Sequence, residues 1–370
     1  MKFREYTMES VLDSIIDYRG KTPKKSINGI PTLSAKSVKN NHIDYSECYF
    51  ISESEYKKFM VRGFPQKGDV LLTTEAPMGL VARLDRNGVA VAQRLLTIRG
   101  KKDVLDNGYL LYLLQSPYGQ SLLKAKETGT TVTGIKQSEF RKIVLRIPDL
   151  ETQKKIAKVL SALDDKIELN NQINKNLEEQ ANALFDNMFP NISQGNRTVG
   201  DYIVPKRGKS LLSKDAVLGD VPVVAGGLEP STYHNESNTT APVITISASG
   251  ANAGYVSLWH IPVWASDSSY IDSKMSDSVY FWYILLKKRQ KEIYDSQTGS
   301  AQPHIYPQHI AVLPLCELSI ESTILFNMRV TSLFAQIANN KAENAILHKT
   351  RDTLLPKLMS GEIDVDNVEI

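Results

Sequence analysis

The sequence predicts an α+β fold built twice. Two mixed α/β domains are joined by two long helices that pair as an antiparallel coiled coil, the whole arising by internal duplication. Three observations predict it. Two long segments carry apolar residues in the 4-3 rhythm of a coiled-coil seam. These segments match each other at a shift of 170 residues, Ile156 falling on Phe326. Short polar, glycine-bearing elements recur upstream of each segment in the same order.

The first long segment, Glu151 to Met188, has its seam at Ile156, Leu160, Leu163, Ile167, Leu177, Ala181, Leu184 and Met188. The second has Phe326, Val330, Leu333, Ile337, Leu347, Arg351, Leu354 and Leu358, with Arg351 alone breaking the pattern. The two seam positions between hold asparagine in both copies: Asn170 and Asn174, then Asn340 and Asn344. A helix of this length runs ~57 Å at about 1.5 Å per residue. Alone it would expose its seam to water, so the two are expected to pair. Antiparallel pairing brings the asparagine layers together, and buried seam asparagines fix register at some cost in stability.

Upstream, Arg19-Gly20-Lys21-Thr22 is echoed by Arg207-Gly208-Lys209-Ser210, and Gly129-Thr130-Thr131 by Gly299-Ser300-Ala301. Each copy then passes through a short apolar strand to a proline, Pro148 or Pro314. Arg19 to Gly129 spans 110 positions and Arg207 to Gly299 spans 92, so the frame is kept while the loops differ. Residues 1–150 form the first domain, with strands at Val70–Thr74, Val89–Ala92 and Leu95–Arg99 and a helix over Leu110–Lys124. Residues 151–190 form the first long helix. After a polar loop, residues 196–318 form the second domain, with strands at Val221–Val224, Val243–Ser247 and Ile261–Ala265 and a helix over Val279–Tyr294. Residues 319–360 form the second long helix, whose last turn Pro356 should loosen. Residues 361–370 read as a loose tail.

The bulk numbers narrow the class. The chain has 370 residues, 42% of them hydrophobic, enough for two or three packed domains. No apolar run is long enough to cross a membrane, and a cytoplasmic protein is expected. Cys48 and Cys316 stand far apart without a CxxC, which excludes a disulfide framework and a thiolate zinc site. A net charge of +3 leans mildly toward polyanions.

Catalytic patterns are missing. Gly208-Lys209-Ser210 ends like a phosphate-binding loop, but Ile203 stands where its first glycine must be. No GxGxxG follows a strand, and the six histidines show no HExxH or HxH spacing. Asp164 and Lys166 can be forced into a nuclease-like DxK, but they flank the seam on a helix, and Phe334 and Gln336 occupy the equivalent positions. No catalytic residue is expected.

The order of domains and helices, together with Thr130-Thr-Val-Thr-Gly-Ile-Lys, Arg146-Ile-Pro-Asp-Leu-Glu-Thr-Gln-Lys-Lys-Ile, Leu163-Asp-Asp-Lys-Ile and Lys67-Gly-Asp-Val-Leu, resembles a specificity subunit of a Type I restriction–modification system. In the second copy Gln302-Pro303-His304-Ile305 replaces Val-Thr-Gly-Ile. The resemblance implies that each domain is a target-recognition domain reading half of a split site in double-stranded DNA. It implies that the helices act as a ruler and offer docking surface to two methyltransferase subunits. Restriction subunits join these. It also implies that S-adenosylmethionine, ATP and Mg²⁺ are carried by those partners, with no cofactor or metal on this chain.

Physical reasoning then nominates contact residues. Arg19, Lys21, Lys24 and Lys25, and Lys206, Arg207 and Lys209, form compact basic clusters suited to phosphates. Base readout needs hydrogen-bonding side chains on loops that reach a groove. Thr73, Thr74, Glu75, Gln93, Arg94, Thr130 and Lys136 are candidates in the first copy. Ser247, Ser249, Asn252, Ser300, Gln302 and His304 are candidates in the second. The alternative is a non-catalytic scaffold: two duplicated protein- or glycan-binding modules on a coiled-coil strut. Scarce loop aromatics argue against glycan, and salt-sensitive DNA binding separates the two readings.

Overall fold

The computed structural model describes residues 1–18, 20–129, 133–299 and 302–368. The chain divides into two compact units, Met1–Leu169 with Asn344–Ile370, and Asn170–Glu343. The division cuts both long helices, Leu150–Met188 and Ile320–Ser360, so each unit holds a piece of each.

Unit 1 is built on four antiparallel strands in the order Leu12–Asp17, Leu95–Gly100, Val70–Thr73 and Val81–Arg83. Val70–Thr73 is buried on both faces, which is why it reads as an unbroken apolar run. One face packs on helices Asn107–Gln115 and Pro117–Lys124 through Leu110, Leu113 and Leu123. The predicted single helix here is two, because Ser116 leaves helical geometry before Pro117 and caps the second with its hydroxyl, which accepts from Gly119 N at 3.1 Å. A smaller sheet orders Lys25–Ser26, Tyr49–Ile51, Ile30–Leu33 and Ala90–Val91, the last pair parallel.

Unit 2 repeats this topology. Its main sheet runs Lys206–Arg207, Ser268–Asp272, Val243–Ser247 and Val256–Trp259, and its smaller sheet runs Thr232–His234, Val221–Val224 and Trp264–Ala265, again ending in a parallel pair. The strand expected over Ile261–Ala265 shrinks to two residues beyond Pro262, which has no N–H to offer a ladder. The helix expected over Val279–Tyr294 divides at Arg289, whose buried guanidinium donates to Glu292 and to the Pro314 carbonyl.

The helix pieces run antiparallel in each unit. In unit 1 the early residues Ile156 and Leu160 share a core with the late residues Leu355 and Leu358. In unit 2 the late residues Ala181 and Phe185 share one with the early residues Phe326 and Val330. Asn170, Asn174, Asn340 and Asn344 are all buried. Within unit 2, Asn340 Nδ2 donates to Asn174 Oδ1 at 2.8 Å and Asn170 Nδ2 to Glu343 Oε2 at 2.7 Å. Arg351, the seam's odd residue, donates to Asp164 at 2.8 Å, and the Tyr112 hydroxyl donates to the same carboxylate at 2.7 Å. Asp164 is thus committed to a structural pair.

The second long helix continues through Pro356 to Ser360 and stops at Gly361, whose φ is +77°. One expectation needs correction. The segment after this helix is no loose tail: Val365 is buried in the unit 1 core, Ile363 and Val368 pack beside it, and Asp366 pairs with Lys155 at 2.6 Å. Apolar residues at these positions supply the reason, since each finds core to cover.

One half-buried histidine has a pH consequence. His260 follows strand Val256–Trp259, with its ring 6.3 Å from that of Phe334 and Nε2 buried without a hydrogen-bond partner among the described residues. Burial, aided by the Lys341 cation, pushes its pKa down to about 4 from 6.5. The unfolded chain therefore takes up the proton first as pH falls. His260's contribution to stability is full above pH 6.5 and is lost progressively as pH falls toward 4. The slope of that loss is at most ~1.4 kcal/mol for each step of one in pH. Urea midpoints at pH 7, 6 and 5 should fall in wild type and flatten in His260→Leu.

Candidate nucleic-acid interface

Strand register decides which loops meet. In unit 1, Asp17 lies opposite Leu96 and Thr73 opposite Leu95. The loop after Asp17, the loop after Thr73 and the turn before Leu95 therefore emerge at one end of the sheet. Three contacts tie them together. The Gln93 amide donates to Thr22 Oγ1, Arg94 Nε lies 2.9 Å from Glu75 Oε1, and Glu75 bridges to Gly134. A Cβ on Gly134 would sit 2.6 Å from the Thr74 carbonyl, so the two loops approach closely here. Lys21, Lys24, Lys25 and Lys136 project from the same loops and are exposed; Lys25 also lies over the Tyr49 ring at 4.8 Å.

Unit 2 reproduces the backbone frame bond for bond. Thr74 N donates to Arg94 O as Ala248 N donates to Asp267 O. Ile135 N donates to Thr74 O as Ile305 N donates to Ala248 O. Glu75 bridges to Gly134 as Ser249 bridges to His304. The side chains differ, and so does the backbone at Arg94, whose φ of +67° is not shared by Asp267. Asp267 stands in the place of Arg94, and Ser249, in the place of Glu75, donates to it. Arg207 Nη2 also donates to Asp267, at 2.6 Å. Lys206, Lys209 and Gln302 are exposed, and Lys209 lies 5.9 Å from the Trp264 ring. Asn252 and His304 are half-buried; Asn252 Nδ2 reaches the Gly226 carbonyl at 3.4 Å.

Three candidates are corrected by burial. Thr73 Oγ1 accepts from Leu80 N at 2.9 Å, Ser247 Oγ donates to Gly226 O at 3.3 Å, and Thr74 is 1% exposed. All three close the strand end and cannot reach a groove. The basic echo also needs adjustment. Arg207 lies opposite Ser269, a slot filled in unit 1 by Asp17 opposite Leu96, so Arg207 is the register counterpart of Asp17. Arg19, Thr130 and Ser300 lie outside the described residues. Asp267 was missed by sequence reasoning; an acidic residue immediately before a strand that starts where Leu95 starts was the available signal.

Two copies of one sheet end, each presenting lysines, an arginine and amides on a shared backbone frame, define a duplicated recognition protein. Residues 5–179 match the family model for the Type I restriction modification DNA specificity domain. The chain is 28% identical to the Type I restriction enzyme MjaIX specificity subunit of Methanocaldococcus jannaschii, over 94% of this chain and 91% of that one. It is 24% identical to the HindI specificity subunit of Haemophilus influenzae, over 80% and 87%. Its fold is that of the crystal structure of the Type I restriction–modification S subunit from M. genitalium, with a TM-score of 0.64 at 20% identity, over 97% and 96% of the two chains. Residues 5–179 carry the Type I restriction modification DNA specificity domain, similarity to Type I specificity subunits spans nearly the whole chain, and the function these similarities support is DNA target recognition. Among the described residues, no helix is long and apolar enough to cross a membrane.

Proposed function

We propose that this chain reads a bipartite double-stranded DNA target, one half-site at the loop end of each unit, and catalyses no reaction itself. The recurrence of one backbone frame with different side chains at its tip carries this reading, since shared positioning with divergent chemistry is what reading two sequences requires. The exposed lysines around each tip supply sequence-independent attraction to phosphates. The paired helices set the unread spacer, with the asparagine layer fixing their register. They also dock two methyltransferase subunits, to which restriction subunits add. S-adenosylmethionine, ATP and Mg²⁺ are held by those partners, in the cytoplasm.

A genome-wide map of N6-methyladenine tests the reading, in a host carrying the partner methyltransferase, with and without this gene. The expected result is that deletion removes one motif of two short half-sites around a fixed gap. An unchanged map would sink the proposal and return the scaffold reading to the front.

A further inference from the structure

Each sheet end holds one arginine against one carboxylate, and the two pairs are assembled from different strands. In unit 1 the base precedes strand Leu95–Gly100 and the acid follows strand Val70–Thr73: Arg94 Nε to Glu75 Oε1, 2.9 Å. In unit 2 the acid, Asp267, precedes the equivalent strand, and the base, Arg207, comes from strand Lys206–Arg207: Nη2 to Oδ1, 2.6 Å. The exposures match. The arginine side chains are 54% and 42% exposed, their acids 34% and 36%. Surface ion pairs contribute little to stability, so neither pair is explained by holding the fold together.

What such a pair does well is aim a guanidinium. Glu75 engages Arg94 through Nε, and among the described residues the Nη groups of Arg94 have no other partner. Arg94 also adopts a left-handed backbone, φ +67°, unusual for a residue with a side chain. Its carbonyl is locked by Thr74 N, which holds that conformation. A planar fork fixed at one edge leaves the other edge for a two-acceptor target, and guanine O6 and N7 form such a target in the major groove.

We infer that Arg94 and Arg207 are the guanine-reading side chains of the two half-sites, with Glu75 and Asp267 as their positioning residues. This rests on the DNA-reading function proposed above. It separates Arg207 from Lys206 and Lys209, with which its sequence position groups it as a phosphate contact. Lysine keeps the charge but loses the fork, so Arg94→Lys and Arg207→Lys isolate the readout.

The test measures binding of the assembled methyltransferase complex to its target duplex and to duplexes with single G·C pairs replaced. Wild type should lose about ten- to a hundredfold in affinity when the read pair is replaced. Arg94→Lys should become indifferent to one G·C pair in one half-site, and Arg207→Lys to one in the other. Glu75→Gln should weaken the same discrimination as Arg94→Lys, at the same pair. In each variant the untouched half-site reports that the protein is folded. Discrimination retained at every pair, or lost in both half-sites together, overturns the inference while leaving the DNA-reading function standing. A wild-type complex indifferent to every substitution overturns that function and this inference with it.

Discussion

Phe326→Ala should destabilise unit 2 by about 3–5 kcal/mol, the cost of removing a buried phenylalanine and leaving its volume empty. Phe326 is fully buried at the start of the second long helix. Its ring stands edge-on to Phe185 at 5.5 Å, in the last turn of the first long helix, and to Phe189 at 5.8 Å, just past its end. Phe281, from helix Val279–Lys288, closes the group at 4.9 Å from Phe189. Four rings thus join three helices, and edge-to-face pairs add about 0.5–1.5 kcal/mol each beyond area burial. Relaxation is limited because each ring's neighbours are themselves held by the others. A urea titration of the full chain should show the unit 2 transition moved to lower denaturant, with Phe326→Leu falling between. An unmoved midpoint would mean that the cluster repacks freely.

The second large effect should come from Asp164. Asp164→Ala leaves the Arg351 guanidinium and the Tyr112 hydroxyl without their shared acceptor, at side-chain exposures of 17% and 18% for Arg351 and Asp164. Removing one partner of this half-buried pair leaves Arg351 with Asp352 alone, 2.9 Å from Nη2, and about 2 kcal/mol is expected here. The pair itself is not worth that much. Asp164→Leu with Arg351→Leu restores an apolar seam, and the double variant should lie within about 1.5 kcal/mol of wild type, because a well-packed apolar replacement avoids desolvating two charges. A double-mutant cycle read from unfolding midpoints decides it. Additive losses in the single and double variants would show that the two side chains act independently.

This pair marks how much could be read without coordinates. Arg351 was visible only as a flaw in an apolar rhythm, and Asp164 only as half of a false DxK. Nothing local connects positions 187 residues apart. The same holds for the helix faces. The 4-3 rhythm identifies Leu184, Leu333 and Leu354 as seam, yet Phe185, Phe334 and Leu355 beside them are the more buried. Each helix piece packs on the globular part of its unit as well as on its partner helix, and one periodicity describes one face. The tail was misread for a related reason. Its composition is polar, and only the packing of Ile363, Val365 and Val368 on unit 1 holds it in place.

At the candidate interface, the exposure of Lys21, Lys24, Lys25, Lys136, Lys206, Lys209 and Gln302 was legible because polar residues on repeated loops need no partner to be recognised as exposed. The burial of Thr73, Thr74 and Ser247 was not, since strand-end hydroxyls look alike whether they face water or a carbonyl. By itself the sequence determined the duplication, the α+β class, the two paired helices with their four asparagines, and the resemblance to Type I specificity subunits, because periodicity and repetition are local patterns that survive in one dimension. Only the tertiary structure decided which loops share a sheet end, that Asp267 takes the place of Arg94, and that Arg207 reaches across to it. Those facts follow from strand register, and a shift of one or two residues in register changes which side chains meet without changing the pattern along the chain.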